Sequence, residues 1–173
     1  VEAPAGAVRG EAADGVNVFR GIPYALPPTG WRRWRPPAEM DRWTATRDAT
    51  QFGAACHQPV ARGTSIYAGY AMEMSEDCLF LNIWTPDAHP SARRPVMVYF
   101  HGGAYNWGSV TDPLTHGAKL AEQGDVVVVT VNHRLNLFGY GWLGPLGERF
   151  RHSGNAGQLD LICALEWIRE HIG

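Results

Sequence analysis

The 173-residue sequence predicts an α/β fold with a mixed, mostly parallel central sheet entered through an antiparallel amino-terminal ribbon. Three observations point there. Apolar, β-branched runs at 79–84, 96–100 and 126–131 read as strands buried on both faces. A helical stretch separates the last two runs and an amphipathic one follows the third, the order of strand, crossover helix and strand. Asp14-Gly15, between short strand-like segments at 7–10 and 16–20, marks a hairpin.

In chain order, the ribbon at 7–20 comes first. From 21 to about 70, Pro23, Pro27, Pro28, Pro36, Pro37 and Pro59 forbid long regular elements, and Trp31, Trp34 and Trp43 are expected to hold these loops down. The crossover helix spans 112–124, with Asp112 as its N-cap, Pro113 at its first position and Gly124 at its end. The last helix spans 155–172, with Leu161, Leu165, Ile168 and Ile172 as its apolar stripe. No repeat or low-complexity tract interrupts this order.

The length suits one domain with a sizeable core, and 45% hydrophobic against 18% charged residues excludes a disordered chain. Fifteen basic and 17 acidic residues give a net charge of −2, without like-charge blocks, so neither nucleic acid nor acidic lipid is an expected partner. All basic residues but Lys119 are Arg, read as a coding bias and not a row of anion sites. The longest apolar run, 126–131, is too short for a membrane span. No charged-then-apolar leader follows Val1, so a signal peptide is expected to be already removed or never present. Cys56 and Cys78 lie 22 positions apart in a loop-rich stretch and Cys163 in a helical pattern, so two of the three can pair.

The chemistry concentrates in His101-Gly102-Gly103-Ala104-Tyr105-Asn106-Trp107-Gly108-Ser109, directly after a predicted strand. Ligands of open α/β sheets sit at the carboxyl ends of strands, where this loop begins. Small residues leave its main chain bare, so amide N–H groups can approach a substrate oxygen and meet the charge that develops there. The competing reading is a turn that only reverses the chain. Ser75, Ser109 and Ser153 lack a Gly-x-Ser-x-Gly frame, so no triad within this chain is expected. His101 reads as a turn former, and the histidines lack metal-ligand spacing. Gly139-Tyr140-Gly141-Trp142-Leu143-Gly144 spells a dinucleotide pattern but runs into Pro145 instead of a helix, so no cofactor is expected.

These motifs, with others in order, resemble the type B carboxylesterases of the cholinesterase-like family. Phe19-Arg20-Gly21-Ile22-Pro23-Tyr24-Ala25 with Pro27-Pro28 and Gly30 is similar to the family's early signature, and Ser75-Glu76-Asp77-Cys78-Leu79-Phe80-Leu81-Asn82 to its most specific one. Val129-Thr130-Val131-Asn132-His133-Arg134 with Phe138-Gly139 resembles the next strand and turn; Gly154-Asn155-Ala156-Gly157-Gln158-Leu159-Asp160 and Ala164-Leu165-Glu166-Trp167-Ile168 resemble the helix beyond.

The resemblance implies the amino-terminal part of one α/β-hydrolase catalytic domain over 1–173, ending before the nucleophile elbow. It places the oxyanion-hole amides at Gly103 and Ala104, shaped by Gly102 and His101, and leaves serine, acid and histidine to a complementary carboxy-terminal piece. The implied reaction is hydrolysis of small to medium carboxylic esters, with the chain inactive alone. Its alternative is a non-catalytic adhesion or scaffold module that has lost the serine. The resemblance pairs Cys56 with Cys78, worth roughly 3 kcal/mol if oxidised, and Arg33 with Glu76 and Arg134 with Asp160. An oxidised pair implies a secreted or periplasmic protein, a reduced one a cytoplasmic protein. The choline-binding tryptophan of relatives falls near Ala68, flanked by Tyr67 and Tyr70, which disfavours choline esters. Tyr105 stands where relatives often have phenylalanine and puts a hydroxyl on the acyl side.

Overall fold

The computed structural model describes residues 1–59, 72–89 and 91–172. The ribbon expected at 7–20 is built differently from the sequence reading. Strands β1 (Glu2–Ala3) and β2 (Gly6–Arg9) pair antiparallel with each other. The Asp14-Gly15 turn instead joins β3 (Glu11–Ala13) to β4 (Val16–Pro23), with both turn residues at positive φ (51° and 77°). That backbone is the two-residue turn matching the twist of paired strands. Gly10 ends the first segment, so β2 turns away to pair with β5 (Arg47–Asp48).

After the short parallel pair β6 (Ala55–Cys56) and β7 (Met74–Ser75) come β8 (Phe80–Thr85), β9 (Val96–Phe100) and β10 (Val127–Val131). The main sheet runs β3-β4-β8-β10-β9. It is mixed: β9 and β10 run parallel, while the other three ladders among the described residues are antiparallel.

Helix α1 (Ala118–Gly124) and helix α3 (Ala156–His171) take opposite faces of this sheet. Val18, Trp84 and Val128 cluster with Ala118 and Ala121 of α1, whereas Phe19, Leu81, Ile83, Val129 and Val131 cluster with Ala164 and Ile168 of α3. That separation follows from the strand alternation: Val128 faces one helix, and Val127 and Val129 the other. β8 and β10 are buried on both faces, apart from partial exposure at Phe80. Among the described residues β9 lies at the edge of the sheet, and its Met97 and Tyr99 are exposed, unlike the run buried on both faces that its sequence predicts.

The crossover begins as a single 3-10 turn at Pro113–Thr115, where the Asp112 side chain accepts from the Leu114 N–H at 2.9 Å; the α-helix starts only at Ala118. On α3 the buried stripe is Gly157, Asp160, Ala164 and Ile168, not the expected Leu161 and Leu165; Leu165 is exposed. Small residues win because the helix packs tightly: a Cβ on Gly157 would lie 2.6 Å from the Arg134 carbonyl oxygen. Asp160 joins that stripe because Arg134 neutralises it. Of the three loop tryptophans, Trp34 and Trp43 donate their indole N–H to the Leu137 and Ala7 carbonyls at 3.2 and 2.8 Å. Trp31 stays exposed beneath the Arg32 and Arg35 guanidiniums.

Candidate active site

Val98 and Phe100 pack against the core, so the chain leaves the sheet at a fixed point and enters the loop 101–109. His101 stays buried; Gly102, Ala104 and Tyr105 are exposed and Gly103 half-buried. Gly103, Ala104, Tyr105 and Gly108 adopt positive φ (122°, 52°, 64° and 116°). Two consecutive non-glycine residues in the left-handed region carry roughly 1–3 kcal/mol of strain each, which surrounding contacts must offset.

Those contacts run through the rim of the bend. The Gly103 carbonyl accepts from the N–H groups of Asn106 and Trp107 at 3.0 and 3.3 Å, and the Ala104 carbonyl from Asn106 Nδ2 at 3.1 Å. Neither the Gly103 nor the Ala104 N–H is engaged by any described residue. The bend thus ties up its carbonyls and leaves two adjacent amide donors without a described partner, the polarity that suits an incoming anionic oxygen.

His101 supports the bend from below. Its Nδ1 lies 2.8 Å from the Gly102 carbonyl oxygen, and since a carbonyl only accepts, Nδ1 carries the proton. Its ring stacks on His133 at 4.7 Å between centroids, and His133 Nδ1 donates in the same way to the Arg134 carbonyl at 3.0 Å. Burial, then repulsion from His133, drops the His101 pKa to about 4, and burial lowers that of His133 too. Both rings are therefore neutral near pH 7. Sequence reasoning treated His101 as a turn former and missed its stacking partner, because nothing in the spacing of 101 and 133 announces a contact between adjacent parallel strand ends.

Tyr105 is exposed and leans on the Tyr140 ring at 4.8 Å, its carbonyl accepting from the Asn136 N–H at 2.6 Å. Tyr67 and Tyr70, expected to contact substrate, and Ala68 lie outside the described residues. Cys56 and Cys78 form a disulfide, leaving Cys163 free. Arg33 grips Glu76 through Nε and Nη2, both at 2.5 Å. Arg134 grips the fully buried Asp160 through Nε, Nη2 and its own main-chain N–H, at 2.8, 2.6 and 3.0 Å. Burial pushes the Asp160 carboxyl up and these three bonds from Arg134 oppose it. Two residues that sequence reasoning did not single out also touch the loop: the Gln58 side chain bonds to Gly108, and the Asn136 main-chain N–H to the Tyr105 carbonyl.

The serines weighed as nucleophiles serve the scaffold. Ser75 Oγ accepts from the Asp77 N–H, Ser109 Oγ from the Thr111 N–H and the buried Ser153 Oγ from the Leu143 N–H. Ser91 does contact a histidine, with Oγ 2.8 Å from His89 Nδ1, but Asp87 binds the His89 main chain and orients no ring. The glycines of the dinucleotide-like pattern close helix α2 (Asn136–Tyr140) and open a 3-10 turn at Gly144–Leu146, so no helix amino terminus stands there to receive a phosphate.

A cavity of about 330 Å³ is lined by Phe19, Trp43, Ile83, Val96, Val127 and Trp167, among others. Val96 and Val127 are the first residues of the parallel strands β9 and β10, so this cavity lies at the end of the sheet away from loop 101–109.

The model of the group described as the carboxylesterase family matches residues 1–173. Para-nitrobenzyl esterase of Bacillus subtilis (strain 168) is 44% identical over 167 residues, which cover 96% of this chain and 33% of that protein. Fumonisin B1 esterase of Sphingopyxis macrogoltabida is 40% identical over 171 residues, covering 96% of this chain and 30% of that protein. Among solved structures, a carboxylesterase of Geobacillus stearothermophilus superposes with a TM-score of 0.89 at 44% identity, over 99% of this chain and 34% of the other. An esterase from Clostridium hathewayi that can hydrolyze aliphatic aromatic polyesters superposes with a TM-score of 0.90 at 40% identity, over 99% and 34%. The chain thus spans about a third of the length of the relatives it matches.

Proposed function

The chain belongs to the carboxylesterase family, and from that membership we propose that it is the oxyanion-holding part of a serine esterase whose serine, acid and histidine lie outside these residues. One observation carries the reading: the Gly103 and Ala104 N–H groups stand side by side, unengaged by described residues, in the loop at the carboxyl end of β9. In the reaction, a serine oxygen adds to the ester carbonyl and the carbonyl oxygen takes up the negative charge. The two amides, with a third donor from beside the serine, hold that oxyanion. It then collapses, expelling the alcohol and leaving an acyl-enzyme that water cleaves to the acid.

Carboxylic ester hydrolysis is what the names of the relatives share, from nitrobenzyl esters to fumonisin and polyesters. The exposed Tyr105 and Trp107 put aromatic surface beside the two amides, which fits acyl groups of small to medium size.

The experiment compares residues 1–173 with the longer protein that carries them, using a fluorophosphonate label and p-nitrophenyl butyrate. Labelling of one serine and ester turnover are expected from the longer protein, and neither from residues 1–173. A soluble 1–173 monomer that turns over the ester contradicts the reading, as does a longer protein that takes no label, the behaviour of an adhesion module without its serine.

A further inference from the structure

The bend bearing Gly103 and Ala104 is fastened from outside itself, by the three residues that begin at Cys56. The Gln58 side chain meets both main-chain groups of Gly108. Its Oε1 accepts from the Gly108 N–H at 2.7 Å, and its Nε2 donates to the Gly108 carbonyl at 2.8 Å and to the Cys56 carbonyl at 3.1 Å. The neighbouring His57 carbonyl accepts from Asn136 Nδ2 at 2.6 Å, and the Asn136 N–H in turn holds the Tyr105 carbonyl. Cys56 is itself fixed by its disulfide to Cys78.

Gly108 is the point at which the bend closes. A Cβ there would lie 2.4 Å from both the Gly102 carbonyl oxygen and His101 Nδ1, so its main chain is seated against the residues that set the Gly103 peptide. Holding Gly108 by both its N–H and its carbonyl fixes the plane of that seat. A glutamine suits this task, because one neutral amide offers an acceptor and a donor together. A carboxylate would meet only the N–H and would add negative charge near the forming oxyanion.

Resting on the esterase reading above, we propose that Gln58 is a positioning residue for ester hydrolysis. It braces the disulfide-anchored segment 56–58 against Gly108 and thereby aims the Gly103 and Ala104 amides, while the Asn136 side chain ties the same segment, at the His57 carbonyl, to the residue whose main-chain N–H holds Tyr105.

The test is made in the longer esterase. Gln58→Ala is expected to lower kcat for p-nitrophenyl butyrate about tenfold, because small misplacements of catalytic groups are costly in rate, with KM within about twofold. Affinity for an alkyl trifluoromethyl ketone, which the serine converts to an oxyanion adduct, falls by the same factor as kcat. Gln58→Glu, which keeps only the acceptor and adds negative charge near the forming oxyanion, does not recover the loss. The proposal is overturned if Gln58→Ala keeps kcat within about twofold, or if kcat falls while ketone affinity does not. Should the parent protein neither cleave the ester nor take the fluorophosphonate, the esterase reading alone fails. Amide hydrogen exchange over 102–108 then decides the brace: faster in Gln58→Ala supports it, unchanged overturns it.

Discussion

On the proposed esterase reading, Gly103→Ala in the longer protein is expected to lower kcat for p-nitrophenyl butyrate by on the order of 10²–10³, the usual effect of removing one oxyanion donor. The cause is steric. At a φ of 122°, a Cβ on residue 103 would stand 1.7 Å from the Trp107 carbonyl oxygen, well inside van der Waals contact with a main-chain atom that cannot swing aside. The 103–107 turn must open, and the two amides lose their common direction. Ala104→Gly is the matched control: it keeps the N–H and relieves a residue held at a φ of 52°, so kcat stays within about threefold. Steady-state kinetics of the pair checks this, and a Gly103→Ala enzyme with near-normal kcat sinks it.

Acidification from pH 6.5 to pH 4 removes about 3 kcal/mol of folding stability through His101 alone. Above pH 6.5 the ring is neutral in both states and its burial carries no penalty. Below that, the unfolded chain binds a proton that the folded chain refuses until about pH 4, so each step down favours unfolding. The stability is thus complete above the ordinary histidine value and lost as the pH falls toward the depressed one. His133, shifted in the same direction by burial, adds to the loss. His101→Asn keeps a donor for the Gly102 carbonyl and cannot titrate. Urea unfolding of the longer esterase across this range should show a shallower acid limb for that variant, and equal slopes for the two proteins refute the assignment.

Much of the fold was legible in the sequence, because β8, β9 and β10 are local apolar runs and the stretches between and after the last two are long enough, and free enough of Gly and Pro inside, to form helices. What eluded the sequence reading was set by partners far along the chain. β2 and β4 looked like one hairpin, since the Asp14-Gly15 signal fixes a turn but not which strand precedes it; the three-residue β3 is too short, and has no β-branched or aromatic residue, to register as a strand. The Leu161 and Leu165 stripe was the conspicuous pattern on α3, yet the buried face is built from Gly157, Asp160 and Ala164. No hydrophobicity count ranks an aspartate there; only Arg134, distant in sequence, makes its burial tolerable.

The candidate site divides in the same way. The small residues after β9 were singled out because they follow a strand end, and the resemblance, not the residues alone, chose an oxyanion loop over a plain chain reversal. The groups that hold them did not. Gln58 lies in a loop, Asn136 begins a five-residue helix and His133 looks like one more residue at a strand end; their roles arise only when the topology brings β9 and β10 side by side and the disulfide draws residue 58 toward the bend.

The central claim concerns two amide hydrogens, and a crystal structure of the longer esterase with its serine phosphonylated addresses them directly. The phosphonyl oxygen is expected within about 2.7–3.1 Å of both the Gly103 and the Ala104 nitrogen. An adduct whose oxygen meets neither nitrogen, with its charge held by other donors, contradicts the account.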